Sequence, residues 1–279
     1  MEIAGNRIHY YHADACAYGG TFQSPVNQII APQAPMSLST SGGYGSAAAD
    51  GLNIPGLFSY TSASTQVSGK QGDTGYVTLV TASIEGLSVL EVITADRICT
   101  QISTVHPLNG DYPTVSFLGT SIENLKIAGC PINVTLDLDI CAQGNGSGFP
   151  TGPCVNDEGF LSKVAAQYQN ITNAKLPTWA TSQSIPSWIT QRYKGKNEQA
   201  KNCGSVLCSV VSATSGKFPG TPCGNVFDVP NVARVFLGEL LVDCKSYRLT
   251  MLRLELQGRA SGQQGGTTCT ANGTTYPPS

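Results

Sequence analysis

A strict alternation of apolar and polar residues most constrains the fold of this chain. In CPINVTLDLDIC, residues 130–141, every second residue from Ile132 to Ile140 is apolar, and the residues between them are polar. Successive side chains of a β-strand point to opposite faces, so a period of two predicts a half-buried strand. We therefore expect a strand here, with Asp137 and Asp139 on its solvated face.

Two cysteines bracket this stretch, and a straight strand would set the distance between them. Eleven steps of strand span about 35 Å, whereas the Cα atoms of bridged cysteines lie about 4.4–6.8 Å apart. One straight strand therefore excludes a disulfide between Cys130 and Cys141. Each of these cysteines would then join its end of the strand to another part of the chain.

Further strand-like segments follow one another closely. They are rich in Val, Ile, Thr and Leu, with Gly, Asn or Pro between them, and they cover residues 7–13, 76–84, 87–103, 114–121, 124–129, 205–213, 234–242 and 246–256. The last two face each other across Asp243–Ser246, which predicts a hairpin. Residues 37–51 and 66–75 have the composition of loops. This pattern predicts an all-β fold, an antiparallel β-sandwich or barrel.

The chain divides by composition into several parts. We predict an N-terminal extension at 1–20, a β-rich domain at 21–256 and an extended low-complexity tail at 257–279. Within the domain, residues 142–202 differ and predict a small helix and loop insertion. One helix is indicated by five apolar side chains at helical spacing, with Asn156 or Asp157 as its N-cap; these side chains are Phe160, Leu161, Val164, Ala165 and Tyr168.

Charge is scarce in this chain. Charged residues make up 12%, against about 25% in an average soluble protein. The net charge of -2 indicates no nucleic-acid partner, and no run of about 18 apolar residues predicts a membrane span. Residues 1–69 contain only Glu2, Arg7, Asp14 and Asp50 as charges. Such a surface is typical either of self-association or of a neutral extracellular protein.

The cysteines indicate export. They are ten, an even number, scattered along the chain without a CxxC motif, at Cys16, Cys99, Cys130, Cys141, Cys154, Cys203, Cys208, Cys223, Cys244 and Cys269. An even, scattered set predicts up to five disulfides in an oxidising compartment rather than a zinc site. The first residues have no apolar signal region, so we interpret the chain as a mature exported protein.

Four glycosylation sequons fit an exported protein. They lie at Asn133, Asn145, Asn170 and Asn272. Asn145 and Asn272 lie in glycine-rich stretches, which we interpret as the loops that are easiest to modify.

Motifs of catalysis and cofactor binding are missing from the sequence. It contains no G-x-S-x-G, phosphate-binding loop, dinucleotide fingerprint or EF-hand spacing. His9 and His12 would point to opposite faces of a strand, which is unsuited to one metal ion. We therefore predict no enzyme, no catalytic residue, no metal and no cofactor.

Two alternative functions depend on particular side chains. Trp179, Trp188 and Tyr193 could form a sugar-stacking platform, although they could equally form the small core of the insertion. A glycosidase would need two carboxylates in a cleft. The candidate acids, all within alternating strands, are Asp96, Asp137, Asp139 and Glu239.

Three stretches together resemble a known family. SIEGLSVLEVITADRI, SFLGTSIENLKIAGCPINV and FDVPNVARVFLGELLVDCKSYRLTMLRLEL occur in this order, which resembles the secreted bacterial surface proteins named choice-of-anchor P. The match covers about residues 76–140 and 204–256. The resemblance implies export, a cell-surface location and a β-rich fold, and it implies no catalytic residue. The ten cysteines and the ending Tyr-Pro-Pro-Ser without a sorting signal depart from that pattern.

Together these features predict a structural extracellular protein. Our preferred hypothesis is the repeating subunit of a filament or surface layer, with glycans as possible further partners and a secreted carbohydrate-binding module as the alternative. Residues 2–18 could act as a donor strand that joins copies head to tail, or could be an ordinary first strand. The apolar side chains that would make this contact are Ile3, Ile8, Tyr10, Tyr11 and Tyr18.

Overall fold

The predicted all-β architecture is confirmed. A computed structural model of the chain describes residues 8–110, 112–142, 149–193 and 204–276. Over these residues the chain forms antiparallel sheets, two of which pack face to face like a sandwich, with two short α-helices beside them. Neither helix in the described ranges has the length and apolar character needed to cross a bilayer.

The first sheet has nine strands in the described part of the chain. Its main path runs in the spatial order β15 (Thr221–Cys223), β16 (Val226–Val229), β17 (Ala233–Asp243), β18 (Ser246–Leu256), β19 (Ser261–Tyr276), β1 (Ile8–Ser24) and β2 (Gln28–Gln33). Two more strands pair beside this path, namely β13 (Ser205–Ser209) with β17 and β3 (Met36–Ser37) with β1. β17 and β18 form the hairpin that the sequence predicts.

The second sheet has eight described strands. Its main path runs in the order β11 (Cys130–Pro131), β10 (Lys126–Ile127), β7 (Ile93–Pro107), β6 (Gly75–Val89), β5 (Phe58–Gln71) and β4 (Gly43–Ile54). Two short strands also pair with β7, namely β8 (Thr114–Ser116) and β9 (Ser121–Glu123). A separate ladder joins β12 (Asn133–Leu136) to β14 (Val211–Ser215).

The core lies between the two large sheets. Strands β1 and β19 of the first sheet pack on β5, β6 and β7 of the second. The side chains of Tyr18 and Phe58 meet across this interface with ring centroids 4.4 Å apart. The apolar residues of the alternating strands therefore point inward, as the sequence predicts, and those of both sheets are buried together.

The predicted helix is also confirmed. Helix α1 (Glu158–Thr172) follows a 3-10 helix at Cys154–Asn156. Its N-cap is Asp157, whose Oδ1 accepts a hydrogen bond of 2.7 Å from the backbone N–H of Phe160. Helix α2 (Ser187–Tyr193) completes the described part of the insertion.

Residues 37–51 and 66–75 differ from the loops that their composition predicts. β4 and β5 run through much of both segments, and they pair in register from Gly43–Gly69 to Ile54–Phe58 with a gap around Gly51. The prediction was wrong because backbone hydrogen bonds form this ladder, and small residues such as Ser, Gly and Ala do not prevent them.

Two predicted strand segments are in fact interrupted. The segment 87–103 turns at residues 90–92, where Leu90 and Glu91 have positive φ angles of 53° and 56°. Non-glycine residues rarely adopt this conformation, so the sequence carries no turn signal there. The segment 130–141 divides into β11 and β12 and ends in a turn, although its apolar residues remain the less exposed ones.

The predicted N-terminal extension and C-terminal tail supply neighbouring strands of the first sheet. β1 pairs with β19 from Ile8–Tyr276 through Ser24–Ser261. β19 is also paired with β18 on its other side, so it lies inside the sheet. The domain division by composition therefore differs from the topology, because backbone pairing places a Gly- and Thr-rich strand at the centre of the sheet.

Candidate functional site

Strand β4 forms an edge of the second sheet, and among the described residues it has few features that would prevent pairing with another strand. It is the last strand on its path, it is twelve residues long, and Asp50 is its only charged residue. Natural edge strands are usually short, charged, bulged or interrupted by proline. β4 has no proline, and its Tyr44 side chain is 70% exposed. The strand can therefore accept another strand alongside it.

One edge of the other sheet, strand β2, is better protected. β2 has six residues and contains Pro32, which removes one backbone donor from the strand. Two apolar side chains nevertheless stand out beside this edge, Val26 at 54% exposure and Ile29 at 69%. This end of the molecule thus offers an apolar surface rather than a free backbone ladder.

The predicted donor-strand residues are divided between the two faces of β1. Tyr11 and Tyr18 are buried in the core, while Ile8 and Tyr10 are exposed. The rings of Tyr10 and Tyr276 meet edge to face on the outer surface, with centroids 5.7 Å apart. Ile3 lies outside the described residues. β1 is paired within its own chain here, and exchange with another copy stays a prediction.

An aromatic groove opens beside the insertion. Its volume is about 530 Å³, and its walls include Trp179, Phe218 and Phe227. The ring centroids of Trp179 and Phe218 lie 5.5 Å apart, and those of Phe218 and Phe227 lie 5.1 Å apart. Lys217 and Ser215 add polar groups to the lining. Flat rings beside donors and acceptors suit a ligand that has both apolar and hydroxylated faces.

The other two aromatic residues of the predicted sugar platform are structural. Trp188 packs on Phe236, with ring centroids 5.9 Å apart, and its indole N–H donates to Asp228 Oδ1 over 3.2 Å. Tyr193 is buried beside Tyr168. The structure therefore favours the small-core alternative for Trp188 and Tyr193. Of the three residues of the predicted platform, Trp179 is the one that lines the groove.

The insertion is held to the first sheet by a partly buried ion-pair network. Glu239 and Arg253 pair through two hydrogen bonds, and Arg253 also donates to Glu255 over 2.6 Å. Arg192 of α2 reaches the same Glu255 carboxylate over 2.8 Å. Burial opposes ionisation of Glu255, but the hydrogen bonds and charges of Arg253 and Arg192 outweigh it and lower its pKa. Both carboxylate oxygens of Glu239 are thus bound to Arg253 in a structural ion pair.

Two of the remaining candidate acids, Asp137 and Asp96, also have local partners for their carboxylates. Asp137 Oδ2 lies 3.1 Å from the Lys163 ammonium, and Asp137 Oδ1 accepts from the backbone N–H of Asp139 over 3.2 Å. Asp96 accepts a hydrogen bond of 2.7 Å from the side chain of Asn124. The predicted strand position of Asp137 and Asp139 was wrong, because β12 ends at Leu136 and Asp139 lies in the turn that follows.

Two histidines that are distant in sequence meet between the sheets. His9 of β1 and His106 of β7 are buried, with ring centroids 4.8 Å apart, and His9 also stacks on Tyr76 at 4.5 Å. His9 Nδ1 is hydrogen-bonded to the Thr275 hydroxyl over 2.8 Å. Burial lowers the pKa of His9 to about 4, and burial together with His9 lowers that of His106 to about 3. Both rings are therefore neutral at physiological pH.

The prediction for His9 and His12 is confirmed, since His9 faces the core and His12 faces solvent beside Asp14. Sequence reasoning missed His106 as the partner of His9, because no local pattern joins residues that far apart. In the described ranges, no three His, Cys, Asp or Glu side chains are arranged to hold a metal ion.

The cysteines occur as thiols in this structure. Nine are described, of which Cys244 is exposed and Cys16 and Cys130 are half-buried. Six of them are buried, namely Cys99, Cys141, Cys154, Cys208, Cys223 and Cys269. Cys203 lies outside the described residues. The structure contains no disulfide among the nine, so the disulfides remain a prediction.

The sequons have different surroundings. Asn133 and Asn170 are exposed, while Asn145 lies outside the described residues. Asn272 lies within β19 rather than in the predicted loop, and its Oδ1 is buried. The buried Oδ1 makes Asn272 a poor acceptor for a bulky glycan, so the exposed Asn133 and Asn170 are the better candidates.

Comparison with known proteins places most of these features in one family. Residues 9–243 match the model of a family described as a domain of unknown function, DUF8256. The chain belongs to the DUF8256 family. No curated protein and no solved structure matches it. The DUF8256 match includes β4, the histidine pair and the groove, whereas β18 and β19 lie entirely beyond its last residue.

Proposed function

We propose that this DUF8256 protein is an exported structural subunit that associates with other copies of itself through strand β4. The observation that carries the proposal is the long, nearly uncharged edge of β4. An unpaired strand edge presents a row of backbone donors and acceptors, and a second strand satisfies them. The low charge of the chain adds little repulsion between copies.

Export is the second part of the proposal. Ten cysteines in 279 residues, the scarcity of charge and the resemblance to choice-of-anchor P proteins support it. Outside the cell, burial of six of the described cysteines would shield any free thiols among them from oxidants. The exposed Asn133 and Asn170 sequons would be the first to carry glycans there.

The symmetry of the contact decides the kind of assembly. Two β4 strands that pair antiparallel about a two-fold axis close a dimer. A repeating structure needs a second contact, and the exposed side chains at Val26 and Ile29 or at Tyr10 and Tyr276 offer one. A filament or layer would therefore alternate a backbone-paired contact with an apolar side-chain contact.

Two lysines on β4 test the assembly part of the proposal. Ser46 and Ala48 are exposed, so Ser46→Lys/Ala48→Lys should keep the fold and abolish association by placing like charges at the contact. Assembly is measured by size-exclusion chromatography with light scattering and by negative-stain microscopy. The control Gln169→Lys adds a charge on the exposed face of α1 and should assemble like the parent. A parent that stays monomeric, or a double variant that assembles normally, would contradict the proposal.

Carbohydrate binding is a second candidate function, and the groove at Trp179 is the observation that favours it. A sugar ring that stacks on one aromatic side chain gains about 1 kcal/mol, so losing Trp179 should weaken binding roughly fivefold. The measurement is a glycan array on the parent followed by titration of any glycan found. Trp179→Ala should lose affinity, whereas Tyr44→Ala, which removes an exposed ring on β4, should not. An array without binding, or equal affinities in both variants, would exclude this function.

A further inference from the structure

Helix α1 brings three distant cysteines together beneath the insertion. Its Gln167 side chain donates to Ser209 O over 2.7 Å and accepts from Ser209 N–H over 3.0 Å. The hydroxyl of Tyr168 donates to the backbone carbonyl of Leu207. These three hydrogen bonds hold α1 along β13, between whose residues Leu207 and Ser209 lies Cys208.

The same helix holds the turn that contains Cys141. The Lys163 ammonium lies 3.1 Å from Asp137 Oδ2 and 3.5 Å from the carbonyl oxygen of Asp139. The backbone N–H of Asp137 donates to Val210 O over 2.7 Å. These contacts attach the residues just before Cys141 to α1 and to the strand region after Cys208, and Cys141 itself is buried.

The third cysteine lies just before α1. Cys154 begins the 3-10 helix, and its carbonyl oxygen accepts from the N–H of Asp157, the N-cap of α1. Cys154 is 3% exposed, and Cys141 and Cys208 are each 5% exposed. Cys154 is the neighbour that most strongly affects Cys141, and its side chain together with burial raises the pKa of the Cys141 thiol. Burial and the neighbouring Cys154 likewise raise the pKa of Cys208.

We propose that Cys141 and Cys154 form a disulfide bond, which closes residues 142–153 into a short loop and fastens the start of α1 to the sheet. Cys141 and Cys154 are buried neighbours, and a disulfide needs their Cα atoms about 4.4–6.8 Å apart. Cys208 stays a buried thiol beneath this bond. The proposal deepens the proposed function, because in the cell it requires the oxidising compartment that export supplies.

The bond forms by two thiol–disulfide exchanges with an external disulfide. The thiolate of one cysteine attacks the oxidant's disulfide, forms a mixed disulfide and releases one thiolate. The second cysteine's thiolate then attacks the mixed disulfide and releases the other. The two thiol protons pass to the released thiolates, so two thiols are oxidised while one external disulfide is reduced.

The timing of this reaction follows from burial. The thiolate is the attacking species, and buried thiols with raised pKa form it rarely. Oxidation therefore takes place while the chain folds, before α1 covers the cysteines. Once formed, the bond is shielded from reductants by the same contacts.

Peptide mapping tests the pairing directly. The full chain is refolded with oxidised glutathione, alkylated in denaturant without reduction and cleaved before aspartate. Cleavage at Asp139 and Asp157 releases residues 139–156, which contain Cys141 and Cys154 and no other cysteine. We expect this peptide to be lighter than its reduced form by two hydrogen atoms and to carry no alkyl group. Alkylation of both cysteines, or linkage to the peptide 157–227 that carries Cys208, would overturn the proposal.

Cysteine variants give an independent readout. Cys141→Ser, Cys154→Ser and the double variant should lower Tm by the same amount, because either change removes the one bond. Reduction should lower the Tm of the parent but change that of the double variant less. The control Cys130→Ser should keep the parent's response to reduction. Single effects that add in the double variant would contradict a shared bond. Because glutathione supplies the oxidising power, failure here leaves export and assembly untouched, and failure of assembly leaves this pairing untouched.

Discussion

At the level of single residues, alternation predicts which side chains are buried but not which side chains they contact. The alternation in β1 places His9 on the buried face and His12 on the exposed face, and both positions are confirmed. The same alternation cannot reveal His106, because the contact between the two rings depends on how β1 and β7 pack across the sandwich. Buried neutral histidines usually serve packing, and here they also make stability depend on pH.

The histidine pair should make the protein sensitive to mild acid. In the unfolded chain both histidine side chains have the ordinary pKa of about 6.5. In the folded state the pKa of His9 is about 4 and that of His106 about 3. Below about pH 6.5 the unfolded state therefore binds more protons than the folded state. The two neutral histidines contribute fully to the free energy of unfolding above that pH, and this contribution is lost as the pH decreases toward 3. Neighbouring Lys245 also lowers the pKa of His106, which reinforces this direction.

Denaturant unfolding at pH 7.5 and 5.5 measures this effect. His106→Gln is neutral at both pH values and should lose less stability than the parent between them. The exposed His12→Gln is the matched control and should keep the parent's loss. An equal loss in the parent and in His106→Gln would show that other groups cause the acid sensitivity.

Elements were predictable where local signals agree. Helix α1 has an N-cap, helical spacing and a buried stripe in one short segment, so its position follows from residues 156–168 alone. The β17–β18 hairpin likewise follows from two alternating runs around a short turn. β4 and β5 escaped prediction because their stability comes from backbone pairing and from the neighbouring β6, which a composition of Ser, Gly and Ala does not indicate.

At the scale of the whole molecule, the sandwich follows from the number and spacing of alternating segments, but the order of its strands does not. β1 and β19 are neighbours although almost the entire chain separates them. Such register depends on the complementary inner faces of two sheets, and no short segment contains that information. The candidate sites share this property, since the groove combines the insertion with β14, β15 and β16.

The pairing of β1 leads to a prediction about the N terminus. Deletion of residues 1–18 removes most of β1, including the buried Tyr11 and Tyr18. A buried aromatic side chain covers about 150–250 Å², worth about 25 cal/mol per Å². The loss of two is therefore comparable with a total stability of about 5–15 kcal/mol. We expect the deleted chain to be unfolded by circular dichroism and by thermal melting.

Deletion of residues 1–7 alone is the control, and it should leave both folding and assembly intact because it keeps all of Ile8–Ser24. Adding a peptide of residues 1–18 to the longer deletion should restore folding if β1 pairs with β19 as it does here. A deleted chain that folds but no longer assembles, and that the peptide caps, would instead support exchange of β1 between copies. Assembly through β4 makes the opposite prediction, since its contact lies on the other sheet and any folded form of the chain should retain it.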